Sequence, residues 1–261
     1  VKDTGILYEP GDEAAPLRFL RQAARRSNFS MSGEPFVGRR GSLTRLQSST
    51  SNLITVIGPP GVGKSSLVRK FGERTFKSLD HHSHVYVIEA FGARSPRDLM
   101  TEISRVLWPS ETYLDNPLAL GHRLAGSGEF LLIIDNVAHA NQHAALAQLV
   151  EVAPGVRICA TSRRRPAEGD VLRLDPLLDK EMSRLFLTLT REELGRWADP
   201  GTDTVGRILP HLCGLPLAAV LAARHARMLA PSLLVRLLED NGSAAIGTRV
   251  ATHGERHESL N

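Results

Sequence analysis

One octapeptide constrains this chain more than any other feature. Gly58-Pro59-Pro60-Gly61-Val62-Gly63-Lys64-Ser65 fits the pattern G-x-x-x-x-G-K-[ST]. Before it stands an apolar, β-branched run, 53–58 (LITVIG), which reads as a buried strand. After it the sequence predicts a helix to about residue 75. Strand, glycine turn and helix in that order build an anion cradle. Glycines take the positive φ angles that let the backbone wrap an anion. Successive N–H groups then point inward, and the helix brings its positive end to the same place. In such a loop Lys64 reaches the β- and γ-phosphates of a nucleotide, the Ser65 hydroxyl ligates Mg²⁺, and Ser66 reaches the α-phosphate.

The rest of the chain supplies the sheet that such a loop needs. Residues 84–89 (HVYVIE), 130–135 (FLLIID), 156–161 (VRICAT) and 171–174 read as further strands. Helices are expected from Ser95-Pro96 to about 107, with Ser95 as N-cap, and over 138–152. Beyond 177 only helices are expected, at about 178–190, 202–212, 215–229 and 231–239. Alternating strands and helices imply a parallel sheet with right-handed crossovers. The fold class is therefore α/β: a P-loop NTPase with a parallel sheet flanked by helices, followed by a small all-helical subdomain. We divide the chain into an N-terminal linker with a short basic helix (1–35), a nucleotide-binding domain (36–177), a helical subdomain (178–250) and a lead-in to a further subdomain (251–261).

The strand at 130–135 ends in Asp135. Strand C-termini of a parallel sheet face the ligand crevice, so Asp135 is expected near Ser65, holding Mg²⁺ with it. Hydrolysing P-loop enzymes often carry a carboxylate just after this position to orient the attacking water. Here the residues are Asn136, Val137, Ala138 and His139, so hydrolysis is expected to be slow or absent. The strand at 156–161 runs into Ser162-Arg163-Arg164-Arg165, and Arg163 is best placed to bind a γ-phosphate. The catalytic candidates are thus Lys64, Asp135 and Arg163. The His81, His82 and His84 cluster and the His139/His143 pair lack the acids or cysteines of a metal site.

Composition narrows the partners. Lys and Arg exceed Asp and Glu by 32 to 28 in 261 residues, and aromatics make up 5%. Neither favours a nucleic-acid platform. The absence of an 18-residue apolar run argues against a membrane span. Cys159 and Cys213 both lie in apolar stretches and read as buried thiols of a reducing, cytoplasmic setting. Val1 at the start reads as a cut from something longer.

Taken together these elements resemble the STAND class of signalling NTPases, and more narrowly the NB-ARC-type module of bacterial regulators, over residues 36–261. Phe36-Val37-Gly38-Arg39 looks like the opening motif of that module. The resemblance implies that the Val37 backbone and the Arg39 side chain approach an adenine nucleotide. Leu131 to Asn136 is similar to its LLxxDN strand, and Ala160-Thr161-Ser162-Arg163 to its sensor strand. Cys213-Gly214-Leu215-Pro216-Leu217-Ala218 resembles GLPLA, which implies that Pro216 packs on adenine. Arg256-His257-Glu258-Ser259-Leu260 resembles the lead-in to a winged helix. The family carries ATP or ADP with Mg²⁺ and works as a nucleotide-controlled switch. It acts together with effector and sensor domains, and its ATP form self-associates. A turning-over P-loop ATPase is the alternative.

Overall fold

A computed structural model of the chain describes residues 27–28, 35–78, 83–191 and 201–242. The predicted N-terminal basic helix at 17–26 and the 251–261 lead-in lie outside the described residues. The elements run α1 (Arg40–Ser48), β1 (Leu53–Ile57), α2 (Lys64–Ser78), β2 (Ser83–Glu89), α3 (Pro96–Leu107), α4 (Pro117–Ala125), β3 (Glu129–Val137), α5 (Ala140–Val152), β4 (Val156–Ser162), β5 (Asp170–Arg173), α6 (Asp179–Arg191), α7 (Thr202–Leu212), α8 (Pro216–Ala226) and α9 (Pro231–Asn241).

The five strands form one parallel sheet in the order β2-β3-β4-β1-β5. The side chains of β3 alternate between two cores, as a strand covered on both faces must. Leu131 and Ile133 join Leu67, Val68 and Phe71 of α2. Leu132 and Ile134 join Leu99, Ile103, Leu120 and Leu146 of α3, α4 and α5. On β2 the same alternation puts Val85 and Val87 on the α2 face, and Tyr86 and Ile88 on the other. A third core, built from Leu185, Phe186, Ile208, Leu212, Leu234 and Leu238, fills the helical part α6–α9. Ala219, Ala222 and Ala226 make one face of α8 small, so its neighbours approach closely.

Local signals account for several boundaries. Ser95 caps α3 as expected: its Oγ accepts the Asp98 N–H at 3.1 Å, and Asp98 Oδ2 accepts the Ser95 N–H at 3.0 Å. Two helices were not expected from the sequence. In α4, Asn116 caps the first turn by accepting the Leu118 N–H at 2.8 Å, with Pro117 at the first position. In α1 no side chain caps the start; Arg39 enters in the left-handed region at φ 65°. The edge strand β2 is partly covered by the chain itself. Asn28 presents its amide to Val87 as a backbone would, donating to the carbonyl at 2.7 Å and accepting the N–H at 2.8 Å.

Three readings need correction. The fifth strand spans Asp170–Arg173, one residue earlier than expected. The third runs on to Val137, with its pairing to β4 interrupted between Ile134 and Val137. Cys213 is not a buried thiol. It occupies a left-handed C-cap of α7 and is exposed. Cys159 is buried, and desolvation pushes its thiol pKa up to about 12. No helix among the described residues is long and apolar enough to cross a membrane.

The core also holds a pH-sensitive group. His143 on α5 is 3% exposed, and neither ring nitrogen has a hydrogen-bond partner among the described residues. Desolvation lowers its pKa. The unfolded imidazole titrates near ~6.5. As pH falls through that value the unfolded chain gains a proton that the folded one refuses. Folding stability therefore drops, by at most about 1.4 kcal/mol per pH unit, until the lower folded pKa is reached. Urea unfolding between pH 7.5 and 5 is expected to show this slope, and His143→Leu to flatten it. Equal slopes in both proteins would refute the assignment.

Candidate nucleotide site

The site grows from the C-terminal ends of β1, β3 and β4. After β1 the chain turns through Gly61 (φ 76°) and Gly63 (φ 95°) and enters α2 at Lys64. Val62, between the two glycines, is fully buried and anchors the loop to the α2-side core. The Lys64 ammonium lies back on its own loop, donating to the carbonyls of Gly58 at 2.9 Å and Pro59 at 3.0 Å. Desolvation is the main cause that lowers its pKa. The charge of Arg163 adds to this, and Asp135 opposes it.

Asp135 is 6% exposed. Its Oδ1 accepts from Ser65 Oγ at 2.9 Å and also from the Thr161 hydroxyl. Thr161 Oγ1 in turn accepts the Asn136 N–H at 2.8 Å, where Asn136 takes φ 68°. The two residues expected to share a metal are therefore in contact. A hydroxyl and a carboxylate form an all-oxygen donor pair, which suits Mg²⁺.

Arg163 is exposed and follows β4 directly, in register with the end of β1 at Ile57↔Ser162. That places it beside the start of the loop, and its charge is felt at Lys64. Ser66 is exposed on the first turn of α2.

Arg39 has a structural task beside the one expected of it. Its guanidinium donates to the carbonyls of Asp175 at 2.6 Å and Val62 at 3.0 Å, tying the opening segment to both the loop and the exit of β5. Val37 packs against the helical core. Val37 and Arg39 also line a cavity of about 810 Å³, whose walls carry Arg40, Lys70, Arg74, Lys180 and Arg184 against the single acid Glu181. The cavity is basic, and no residue of the Gly58–Ser65 loop lines it.

Pro216 opens α8 directly over the loop. A Cβ built on Gly63 would sit 3.7 Å from Pro216 Cγ, and one on Gly61 would sit 3.0 Å from Leu217 Cβ. The Leu217 N–H donates to the Gly61 carbonyl at 3.2 Å. The helical part is thus seated on the phosphate loop itself.

Three positions were missed as contributors. The sensor-like run includes Thr161 without giving it a role; its signal is a hydroxyl at the end of a strand adjacent to the Asp135 strand. Gln142, fully buried, accepts the N–H groups of Ala138 and His139 and donates to the Ala93 carbonyl at 2.9 Å, so it fixes the turn after Asp135. A buried glutamine three residues past a helix start is the visible trace. Leu217 carries no sequence signal for its backbone contact with Gly61.

Comparison with known proteins bears on the fold. Residues 46–159 match the family model described as an AAA domain. The crystal structure of the FIGL-1 AAA domain in complex with ADP is similar, with a TM-score of 0.51 and 14% identity over 77% of this chain and 74% of that one. The structure of C. elegans PCH-2 has a TM-score of 0.45 and 14% identity, over 80% of this chain and 64% of that one. No curated protein matches. The described part of the chain has the fold of an AAA-type P-loop NTPase domain, with a parallel five-stranded sheet and further helices at its C-terminal end.

Proposed function

We propose that this chain is an ATP/ADP-controlled switch module of the STAND class, NB-ARC-type, within a cytoplasmic signalling or transcription-regulating protein. The observation that carries the reading is the seat of α8 on the phosphate loop. Because Leu217 N–H bonds to Gly61 O and Pro216 lies against Gly63, whatever fills the loop also sets the position of the helical part. The similar FIGL-1 domain was crystallised with ADP, which supports an adenine nucleotide here.

In this reading the N–H groups of the loop, Lys64 and Ser66 hold the phosphates, and Arg163 contacts the γ-phosphate. The base end lies toward Val37, Arg39 and Pro216, beside the basic cavity. Ser65 and Asp135 would hold Mg²⁺, which neutralises phosphate charge when bound. Thr161 keeps the Asp135 carboxylate aimed at Ser65. Exchange of ADP for ATP alters the contacts at Arg163 and shifts α8 on the loop. Hydrolysis is slow in this reading, and residues 136–139 themselves carry no carboxylate. Effector and sensor domains of the same protein would read the change, with self-association in the ATP form. A turning-over ATPase is the alternative, and a steady-state rate above about 1 s⁻¹ would favour it.

The test is chromatography of nucleotide released from the purified protein. Stoichiometric ADP is the expected result. A protein that purifies empty and also fails to bind added ATP or ADP with Mg²⁺ would overturn the proposal.

A further inference from the structure

The water-activating carboxylate absent after Asp135 is present on the neighbouring strand. We propose that Glu89, the last residue of β2, is the general base for ATP hydrolysis at this site; the inference rests on the nucleotide reading above and adds a catalytic residue to it.

Three observations place Glu89 there. It is the register partner of Asp135 across the parallel β2–β3 pair. Adjacent strands lie roughly 4.8 Å apart, and residues in register send their side chains to the same face. The parity of β2 agrees, since Val85 and Val87 already face α2. Finally, both carboxylates meet the same helix on one face at i, i+4 spacing: Asp135 bonds Ser65, and Glu89 pairs with Arg69. The Ala90 N–H donates to the Asp135 carbonyl at 2.8 Å, which fixes the end of β2 against β3. Glu89 is therefore held beside the pair expected to carry the metal, at the strand ends that face the crevice.

The Glu89 carboxylate is also free to turn. Its side chain is 57% exposed and that of Arg69 41%, and an ion pair so exposed contributes little. Asp98, at the start of α3, is by contrast committed: it accepts the Arg94 and Ser95 N–H groups. In the proposed step Glu89 takes a proton from the attacking water. The water oxygen bonds to the γ-phosphorus as the bond to the β–γ bridging oxygen breaks. The electron pair of that bond leaves with ADP, and the proton passes from Glu89 to solvent. Arg69 competes for the same carboxylate and so restrains the reaction, which accounts for a slow rate without requiring its absence.

Single-turnover hydrolysis of Mg-ATP, nucleotide content after purification and ATP affinity would be measured on the full chain and on Glu89→Gln and Arg69→Gln. Glu89→Gln is expected to slow hydrolysis at least a hundredfold, to change ATP affinity less than threefold, and to shift the retained nucleotide from ADP to ATP. Arg69→Gln is expected to match or exceed the native rate. If the ion pair were only structural, the two variants would behave alike, and that result overturns the proposal. So does a native rate that Glu89→Gln leaves intact, or a native protein that binds ATP and never hydrolyses it; in both cases the nucleotide reading survives. A protein that binds no nucleotide removes both.

Discussion

Replacing Lys64 by alanine is expected to weaken ATP and ADP binding at least a hundredfold while leaving the fold intact. The two halves of this expectation have separate causes. The Lys64 ammonium bonds only to two carbonyls of its own loop, Gly58 and Pro59, among the described residues. Its removal leaves those oxygens partly open to water, so the stability cost stays at or below about 1 kcal/mol. Toward phosphate the same ammonium makes charge-assisted hydrogen bonds, each worth roughly 1.5–3 kcal/mol. Losing about 3 kcal/mol corresponds to more than a hundredfold in Kd. Titration with a fluorescent ADP, beside a thermal melt, checks both. Unchanged affinity would mean that the loop does not hold the phosphates; a large fall in melting temperature would mean that Lys64 is a fold residue.

Gly214→Ala is expected to be strongly destabilising. Gly214 sits at φ 65°, where an L side chain costs roughly 1–2 kcal/mol. A Cβ there would also lie 2.6 Å from the Leu177 carbonyl oxygen and 2.7 Å from Pro176 Cβ. Neither neighbour is the loose end of a flexible side chain, and the Gly214 carbonyl must still accept the Leu177 N–H at 2.8 Å. Strain and clash together amount to about 2–4 kcal/mol, a fall in Tm on the order of 5–15 °C for a chain of this size. Because Leu215, Pro216 and Leu217 follow at once, the seat of α8 on the phosphate loop moves as well, and nucleotide affinity falls with stability. Gly242→Ala is the control: its φ is 61° but nothing lies within 4 Å of the added Cβ. Only the backbone cost remains there, on the order of 1–3 kcal/mol, because φ 61° with ψ −162° is a conformation essentially reserved for glycine. A Gly214→Ala variant that melts no lower than the native protein would show that neither the strain nor the contacts at Gly214 matter.

Much of this was readable in the residues because the chemistry is local. Gly61, Gly63 and Lys64 announce a phosphate loop through spacing alone, since the wrapping backbone, the cation and the helix start must be consecutive. The apolar run ending in Asp135 marks a central strand and its carboxylate for the same reason. Ser95-Pro96 declares a helix start because the cap and the first turn are neighbours. Asn116-Pro117 carries the same local signal for the start of α4. α1 was not legible: its first turn has no capping side chain, and Arg39 enters it through a left-handed backbone that arginine rarely takes.

What the tertiary structure decided is what depends on residues far apart in sequence. Strand order is one case. The parallel pairing of β2 with β3 brings Glu89 level with Asp135, 46 positions later in the numbering, and so sets a carboxylate beside a segment that lacks one. The Thr161–Asp135 contact and the reach of Arg39 to the Val62 and Asp175 carbonyls are others. The seat of Leu217 on Gly61 is carried by backbone atoms, which every residue shares, so no side-chain pattern can report it. The sequence by itself determined the strand, glycine turn, lysine and helix start of the loop, because they are consecutive; the packing of sheet and helices determined which groups stand around it.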